Sequence, residues 1–415
     1  MGNKNIYFFG VICCILFMTC APEIDSGPID PRRMEVLFLG HDSEHHNSQE
    51  FLPYLASSLT QRGINFTYTN ETSDLNKEYL NQFDAIAIYA NIDEIAKAEE
   101  RALLSFVKSG GGLVPIHSAS YCFRNSKQYV DLVGGQFSSH DTAIFSLTIT
   151  DSDHQITTGL TPFETWDETY VHEKHSDKHV LMERVEGDHH EPYTWIKEYG
   201  HGRMFYTALG HDLRTWAQSD FHELLYRGIV WSIGDRKKEA LEKMDFPLLA
   251  YSAAKIANYE KRDPVPELQA PLSPEESMKH IQIPPEFELH LFASEPDVIN
   301  PIALNWDEKG RLWILETVDY PNDIKLEKGV GNDRIKILED TDEDGRADKF
   351  TVFADKLSVP TSLVFSNGGV IVSQAPHFLF LKDTDGDDKA DVREILMEGW
   401  GTYDTHAGPS NLKYG

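Results

Sequence analysis

One stretch narrows what this chain can fold into more than any other: Ser109-Gly-Gly-Gly-Leu-Val-Pro-Ile-His-Ser-Ala-Ser120. It reads as a glycine-rich turn, a short buried strand over Leu113 to Ile116, and a tight turn at His117-Ser118. A helical segment over about Ser126 to Val133 follows. In an open α/β sheet, ligands sit at the carboxyl ends of the strands. A residue on the turn leaving a central strand is therefore held rigidly and faces a crevice, and here that residue is His117. The same letters also suit a glycine-rich connection whose histidine only caps the next helix, so both readings stand.

The flanking segments predict what surrounds that strand. Met34 to Gly40 is a continuous apolar run, as in a parallel strand covered on both faces. Phe51 to Leu59 has helical spacing and stops near Gly63. Ile64–Thr69 and Asp84–Ala90 read as strands, and Ile95–Val107 as a helix. Strands alternating with helices imply βαβ units and a doubly wound sheet. After Gly135 the pattern is richer in strand, over Phe145–Thr150, His179–Glu183 and Gly202–Leu209. An amphipathic helix over Phe221–Ile233 closes the domain.

Histidines crowd the predicted strand ends. Gly40-His41-Asp42 follows the first strand, with His45 and His46 nearby, and His117-Ser118 follows the fourth. Gly210-His211-Asp212 follows Gly202–Leu209, Trp166-Asp-Glu-Thr-Tyr170 lies between, and His140 and His154 flank the middle. Turns after parallel strands converge at one edge, so His41, His117 and His211 are expected in one crevice with Asp42, Asp167, Glu168 and Asp212. Imidazole beside carboxylate suits general acid–base work near neutral pH. His and Asp are also ordinary ligands of a divalent metal. No short metal motif is present, and metal dependence is left open.

These residues resemble a family. Gly111-Gly-Leu-Val-Pro-Ile-His-Ser-Ala119, His154-Gln-Ile-Thr-Thr-Gly-Leu160, Trp166–Tyr170 and the long stretch Pro192–Asp212 look like the trehalose-utilisation (ThuA-like) domain. The resemblance runs from about Met34 to Asp235. It implies an α/β flavodoxin-like (amidotransferase-like) sheet of the class I glutamine-amidotransferase type. In the amidotransferases the elbow carries a nucleophilic cysteine; here His117 stands there and Cys122 lies five residues on, which argues against a thiol amidotransferase. The amidotransferase histidine falls near His211, with Asp212 in place of the usual Pro-Glu. The family is associated with sugar catabolism, including keto-sugars and glycosides, and the strand-end residues His117 and His211, as acid–base groups, with Asp212 and Glu168 are the candidate catalytic set. His41, Asp42, Ser118, Asp167 and Tyr170 are the expected substrate contacts.

The chain has 415 residues, enough for two or three domains. Its formal net charge is -29, from 67 acidic and 38 basic residues, which excludes the basic footprint of a nucleic-acid binder. A carbohydrate or other small-molecule substrate fits better. Met1-Gly-Asn-Lys4 is a short positive start, and Ile6–Met18 is an apolar run too short to span a bilayer comfortably. Phe17-Met-Thr-Cys20 resembles a loose bacterial lipoprotein box. Residues 1–20 are therefore expected as a lipoprotein signal, with Cys20 lipidated and the protein exported and anchored on the periplasmic or cell-surface side. An ordinary secretory signal or a short anchor is the alternative. Only Cys20 and Cys122 then remain, so no disulfide framework is expected.

The assignment continues with residues 34–235 as the α/β domain and 236–283 as a linker. Lys237–Lys243 is charged, Ala250–Tyr259 has helical character, Asp263–Pro274 is proline-rich, and Ser273-Pro-Glu-Glu276 forms a capping box. From residue 284 to 415 an internal repeat appears. Asp340-Thr-Asp-Glu-Asp-Gly-Arg-Ala-Asp348 recurs as Asp383-Thr-Asp-Gly-Asp-Asp-Lys-Ala-Asp391, 383 − 340 = 43 residues later. A period near 40–45 with short strands suggests a partial all-β propeller, of about three blades at most, in a chain that reads as truncated or completed by another chain. Asp340, Asp342, Asp344 and Asp348, and then Asp383, Asp385, Asp387, Asp391 and Glu394, resemble calcium loops, each lacking one element. The repeat looks like the propeller of membrane-bound dehydrogenases, distantly similar to glucose/sorbosone dehydrogenases. By that resemblance His406 is a candidate proton-abstracting base, although a quinone cofactor is not expected in a partial propeller. Three readings follow: a carbohydrate-processing lipoprotein enzyme, a quinone-dependent sugar dehydrogenase, and a non-catalytic sugar-binding surface protein.

Overall fold

The computed structural model describes residues 28–41, 43, 46–246, 249–255, 261–322, 324–325, 329–406 and 408–414. The expected lipoprotein segment with Cys20, and the crevice carboxylate Asp42, lie outside the described residues. The chain divides into two compact units, Met1–Asp245 and Phe246–Gly415.

In the first unit, β1 (Met34–Leu39), α1 (Ser48–Thr60), β2 (Ile64–Thr69), α2 (Lys77–Leu80), β3 (Ala85–Ile88), α3 (Lys97–Lys108), β4 (Gly112–Pro115) and α4 (Lys127–Val133) follow one another. This is the alternation the apolar spacing predicts. Next come β5 (Gln136–Ser139), β6 (Thr142–Ser146), β7 (Thr148–Ile149), β8 (Glu164–Glu168), β9 (Val171–Glu173), β10 (His179–Glu186), β11 (His189–Tyr199) and β12 (Gly202–Thr207). The helices α5 (Leu213–Trp216), α6 (Ser219–Ile233) and α7 (Asp235–Glu242) end the unit. The main sheet runs β2-β1-β3-β4-β12-β11-β10-β7. Its first five strands are mutually parallel. The last three are antiparallel additions. β1, β3 and β4 are buried almost throughout, which is why their sequences are unbroken apolar runs.

Two small pairs, β5 with β9 and β6 with β8, stand apart from this sheet. β8 carries the Trp-Asp-Glu motif, which sequence spacing does not mark as a strand. One glycine fixes how closely α3 approaches β12. A Cβ on Gly202 would lie 2.0 Å from the Val107 carbonyl oxygen, so no other residue fits there. The charged stretch expected as tether from residue 236 is α7, with Ala240 and Leu241 buried and the Arg32 amide donating to the Ala240 carbonyl. Its two apolar residues, four positions from Arg236 and Lys237, are enough to seat it on the first unit.

The second unit opens with an exposed hairpin, β13 (Tyr251–Ala253) against β14 (Glu267–Gln269). Strand therefore stands over Tyr251–Ala253, where helical character was expected from Ala250, and residues 256–259 of that stretch lie outside the described residues. α8 (Pro274–His280) starts at Ser273 with the expected capping box. Then β15 (Pro301–Trp306), β16 (Leu312–Glu316), β17 (Asp333–Glu339) and β18 (Lys349–Leu357) form one antiparallel four-stranded sheet. β19 (Ser362–Ser366), β20 (Gly369–Gln374), β21 (His377–Lys382) and β22 (Val392–Glu398) form another. Each acidic loop of the repeat joins the third and fourth strands of its sheet. A shared core including Trp313, Ile337, Phe353, Leu363 and Leu381 unites the two sheets. The unit is thus mostly β, in two sheets, and no closed propeller is present among the described residues.

Candidate functional site

Four parallel strands end at one edge of the first sheet, and each hands the chain to a residue of interest. After β1 come His41 and, farther along the same loop, His46. After β3 comes Tyr89, after β4 His117, and after β12 Gly210-His211. Gly210 holds φ +126°, a conformation that suits glycine and turns the chain so that His211 faces back over the edge. His117 itself sits at φ +47°, a left-handed value that a non-glycine residue adopts at a cost of about 1–3 kcal/mol. The fold keeps it there. The His117 Nδ1 lies 2.7 Å from the Ala208 carbonyl, and the Tyr206 hydroxyl lies 3.1 Å from the His117 carbonyl.

Tyr206 belongs to a buried chain of polar groups beneath the elbow. His172 Nδ1 contacts Glu191 Oε1 at 2.9 Å, and its Nε2 contacts the Tyr206 hydroxyl at 3.0 Å. Burial holds the His172 pKa below its usual value against the pull of Glu191. This network fixes the backbone of His117 from the side away from the crevice.

On the crevice side, Glu168 at the end of β8 is the centre. Its Oε2 lies 3.2 Å from His117 Nε2, and its Oε1 lies 3.2 Å from His211 Nδ1 and 3.4 Å from His140 Nδ1. The His46 ring stands 5.1 Å from that of His117 and 5.6 Å from that of His211, centroid to centroid. One ligand atom from each of His46, His117, Glu168 and His211 can be chosen so that all lie within 4.8 Å of one another. Burial would raise the Glu168 carboxyl. The His117 contact, and the charges of His117, His211 and His140 when protonated, outweigh burial and bring it down to about 2. Burial holds His211 below the usual histidine value. The centre therefore pairs an ionised carboxylate with imidazoles, one of which resists protonation near neutrality.

The tautomer of His117 follows from its neighbour. A carbonyl only accepts, so Nδ1 carries the hydrogen and Nε2 of the neutral ring presents a lone pair to Glu168. The Tyr170 ring stacks on the His117 ring at 4.2 Å. Trp166 packs 5.9 Å from His211 under the Arg214 guanidinium. His140 is the most open member, with a side chain 40 % exposed, and marks the mouth.

Several expected contacts have other work. Asp167 is fully buried and accepts from the amides of Gly210, His211 and Glu168 and from the Thr215 hydroxyl. It ties β8 to the His211 turn and cannot touch a substrate; neighbours on a strand point to opposite faces, and Glu168 takes the crevice face. Asp212 caps α5 and pairs with Arg214, and it is not among the four gathered donors. His41 bonds Asn91 through Nδ1 and is not among the four gathered donors. His46 takes the place expected for it. Tyr170 is buried against His117, a wall of the site more than a contact at its mouth. The Ser118 hydroxyl is buried and makes no hydrogen bond among the described residues. Cys122 is buried with its thiol against the Ala90 carbonyl and pushed up to about 12 by burial, so it is no nucleophile.

His46 and His140 are the residues that sequence spacing did not single out. The signal for His46 was its loop, which follows a parallel strand and holds three histidines. The signal for His140 was only its place just ahead of the β6–β8 pair.

In the second unit, Asp340, Asp342 and Asp344 gather on one loop, and Asp383, Asp385 and Asp391 on the other. Three expected ligands stay outside these groups. Asp348 binds Thr341, Asp387 lies beside Lys389, and Glu394 sits in β22 facing solvent. The last is a consequence of strand geometry, because position twelve of the loop is already paired in a sheet. His406 is exposed and contacts Asp404 at 3.1 Å, at the side of a hollow of about 750 Å³ that Tyr320, Val359 and Asn411 also line.

Fold and site together define a class: an α/β domain of the flavodoxin and amidotransferase type whose strand-end edge holds imidazoles and a carboxylate where the amidotransferases hold a cysteine. Residues 35–232 match the family model for trehalose utilisation (ThuA), and this part of the chain is a ThuA-like domain. Residues 273–415 match a domain of unknown function (DUF7133), a stretch that includes α8. No curated protein matches the chain. Among solved structures, a ThuA-like protein of Parabacteroides merdae is similar at 18 % identity over 49 % of this chain and 90 % of its own, with a TM-score of 0.42. A ThuA-like protein of Bacteroides uniformis is similar at 20 % identity over 50 % and 94 %, with a TM-score of 0.41.

Proposed function

We propose that the ThuA-like domain is an enzyme acting on a carbohydrate that carries a keto group, a keto-sugar or keto-glycoside, by proton transfer at the Glu168 centre. The observation that carries this reading is one ionised carboxylate in contact with three imidazoles, at the strand-end edge where open α/β sheets bind ligands. Proton transfer is what such a set does near neutral pH. Cys122 is buried and held as the thiol, so a thiol-based covalent route is disfavoured. Beside a ketone, a base takes the proton from the adjacent carbon and leaves its electron pair as an enolate. When the glycosidic C–O bond one carbon farther on breaks, the departing oxygen takes a proton from an acid at the same centre. The net result is elimination, with no oxidant consumed.

The strongly acidic chain supports a neutral substrate over a polyanion. We further read the protein as an exported lipoprotein anchored through Cys20, and the acidic loops of the second unit as weak calcium sites. Turnover of a 3-keto-glycoside, followed as release of its aglycone, tests the main reading. It is expected with the full chain and with His406→Ala, and is expected to be lost in Glu168→Gln. Turnover lost in His406→Ala instead would favour a dehydrogenase-type site in the second unit. Sugar binding without turnover, indifferent to Glu168→Gln, would leave only a binding protein.

A further inference from the structure

We propose that His46, His117, His211 and Glu168 form a binding site for one first-row divalent cation, of the zinc or cobalt class. This deepens the reading of the Glu168 centre and rests on it for the catalytic consequence, but not for the binding itself.

Three observations carry it. The first is chemical. His117 Nε2, fully buried, presents a lone pair toward a carboxylate oxygen 3.2 Å away. Two acceptors in contact need something positive between them. The second is the state of the donors. Neither His117 Nε2 nor His211 Nδ1 makes a hydrogen bond among the described residues, although each sits 3.2 Å from a Glu168 oxygen. The third is metric. Tetrahedral bonds of about 2.0–2.2 Å from a zinc-class cation to imidazole nitrogen and carboxylate oxygen place neighbouring donors roughly 3.3 Å apart. The two observed separations end on different Glu168 oxygens, so whichever oxygen serves as donor matches that spacing with one imidazole, and the full set of four stays within 4.8 Å. Donor chemistry chooses the class, because three nitrogens and one oxygen suit zinc, cobalt or a similar ion better than magnesium or calcium. The outer contacts are those of a prepared site. The Ala208 carbonyl holds the His117 tautomer, and Asp167 holds the amides of both His211 and Glu168.

A cation here reassigns the proton carriers. His117 and His211 become ligands, and His140 is the imidazole that touches Glu168, stays outside the ligand set and faces solvent at the mouth. The cation would polarise the ketone oxygen of the substrate, and His140 would take and return the proton.

The test uses the full chain, stripped with a chelator and titrated with Zn²⁺ by calorimetry. A second titration with Co²⁺ is followed by its visible ligand-field bands. One tight site is expected. His46→Ala and His117→Ala should each weaken it by more than about 100-fold, the upper end of what is lost when only an outer partner is removed. His201→Ala, an exposed residue, should leave it unchanged. His140→Ala should keep the metal and lose keto-glycoside turnover. Circular dichroism checks that each variant is folded. His46 lies on a loop, so its removal leaves the elbow intact if His117→Ala does not fold. Zn²⁺ binding that persists unchanged in both variants, or Co²⁺ spectra identical with and without His46, would overturn the proposal. Full turnover by the stripped protein would overturn the catalytic consequence and leave the acid–base reading standing. A tight site without turnover would overturn the proton-transfer reading, and the catalytic consequence with it, and leave the binding site standing.

Discussion

Two parts of this molecule gather metal-ligand side chains, and they do it in opposite ways. In the first unit, His46, His117, Glu168 and His211 come from four loops and strands spread over more than a hundred residues. In the second, each acidic group comes from a single loop of nine residues. The first group is largely buried, and its His117 Nε2 and His211 Nδ1 face Glu168 without a hydrogen bond among the described residues. The second is exposed, and its carboxylates are already occupied by their own backbone. Asp340 accepts from the amides of Asp344 and Gly345, and Asp383 from those of Asp385, Gly386 and Asp388. The lesson is that a ligand-rich motif and a ligand site differ in what else could satisfy the donors. A loop can satisfy itself through turn hydrogen bonds, whereas a parallel-sheet edge brings together side chains from distant segments that turn toward one another.

The contrast breaks first on activity. Removing the carboxylate in Glu168→Gln should lower kcat/KM for the keto-glycoside about 1,000-fold, or about 4 kcal/mol at 1.36 kcal/mol per tenfold. Asp383→Asn should leave it within about twofold. A comparable loss from both would mean that the second unit takes part in the chemistry.

Stability should divide along the same line. Asp167→Ala deprives three amides and the Thr215 hydroxyl of a buried acceptor, at an expected cost of about 3 kcal/mol or more in urea unfolding. Asp340→Ala removes an exposed acceptor whose donors can turn to water, and should cost about 0.5 kcal/mol. Equal costs would show that the loops are structural in the same sense as the buried hub.

How much of this could be read from the letters follows from the same physics. Strand ends were legible because parallel strands are unbroken apolar runs, so His117 and His211 could be placed at one edge. Glu168 was legible only as one of a pair, since Asp167 and Glu168 are chemically alike. Recognising β8 would have separated them, because alternation sends one to the crevice and its neighbour to the hub. That strand pairs with β6, away from the main sheet, and its central Trp-Asp-Glu does not read as apolar alternation. His46 was illegible for another reason. His41 and His46 share a loop, and which ring turns inward depends on Asn91 capturing His41, a contact fifty residues away in sequence. In the second unit the repeat announced the two sheets clearly, whereas Glu394 as a ligand failed because the loop ends where β22 begins.

Acid should act on the first unit before the loops respond. His172, His211 and His222 all have pKa values held below 6.5, in each case first by burial. A group depressed in the folded state gives stability that is present above its unfolded value and lost as pH falls through the folded one. Thermal unfolding of the first unit is therefore expected at progressively lower temperature as pH drops from about 7 toward 5. His172→Gln removes one contributor and should flatten that slope. A midpoint that is constant across this range would mean that these imidazoles are protonated in the folded protein.

Calcium provides the smallest expected effect and the finest test of the contrast. Asp344 beside Asp342 pushes its carboxyl up, a sign of mutual repulsion that a cation would relieve. Yet the loops already spend their oxygens on backbone amides, and the twelfth position is in a strand. Binding should therefore fall near the weak end of calcium loops, with Kd on the order of 1 mM. At about 10 mM Ca²⁺ that gives roughly 1.4 kcal/mol per loop, about 2.8 kcal/mol for the two, and a rise in Tm of several degrees for the second unit. The rise should vanish in the double variant Asp340→Asn, Asp383→Asn and leave the first unit's transition where it was. Micromolar binding would show that the loops rearrange to release their backbone bonds, and exposure would then be no guide to affinity in this chain.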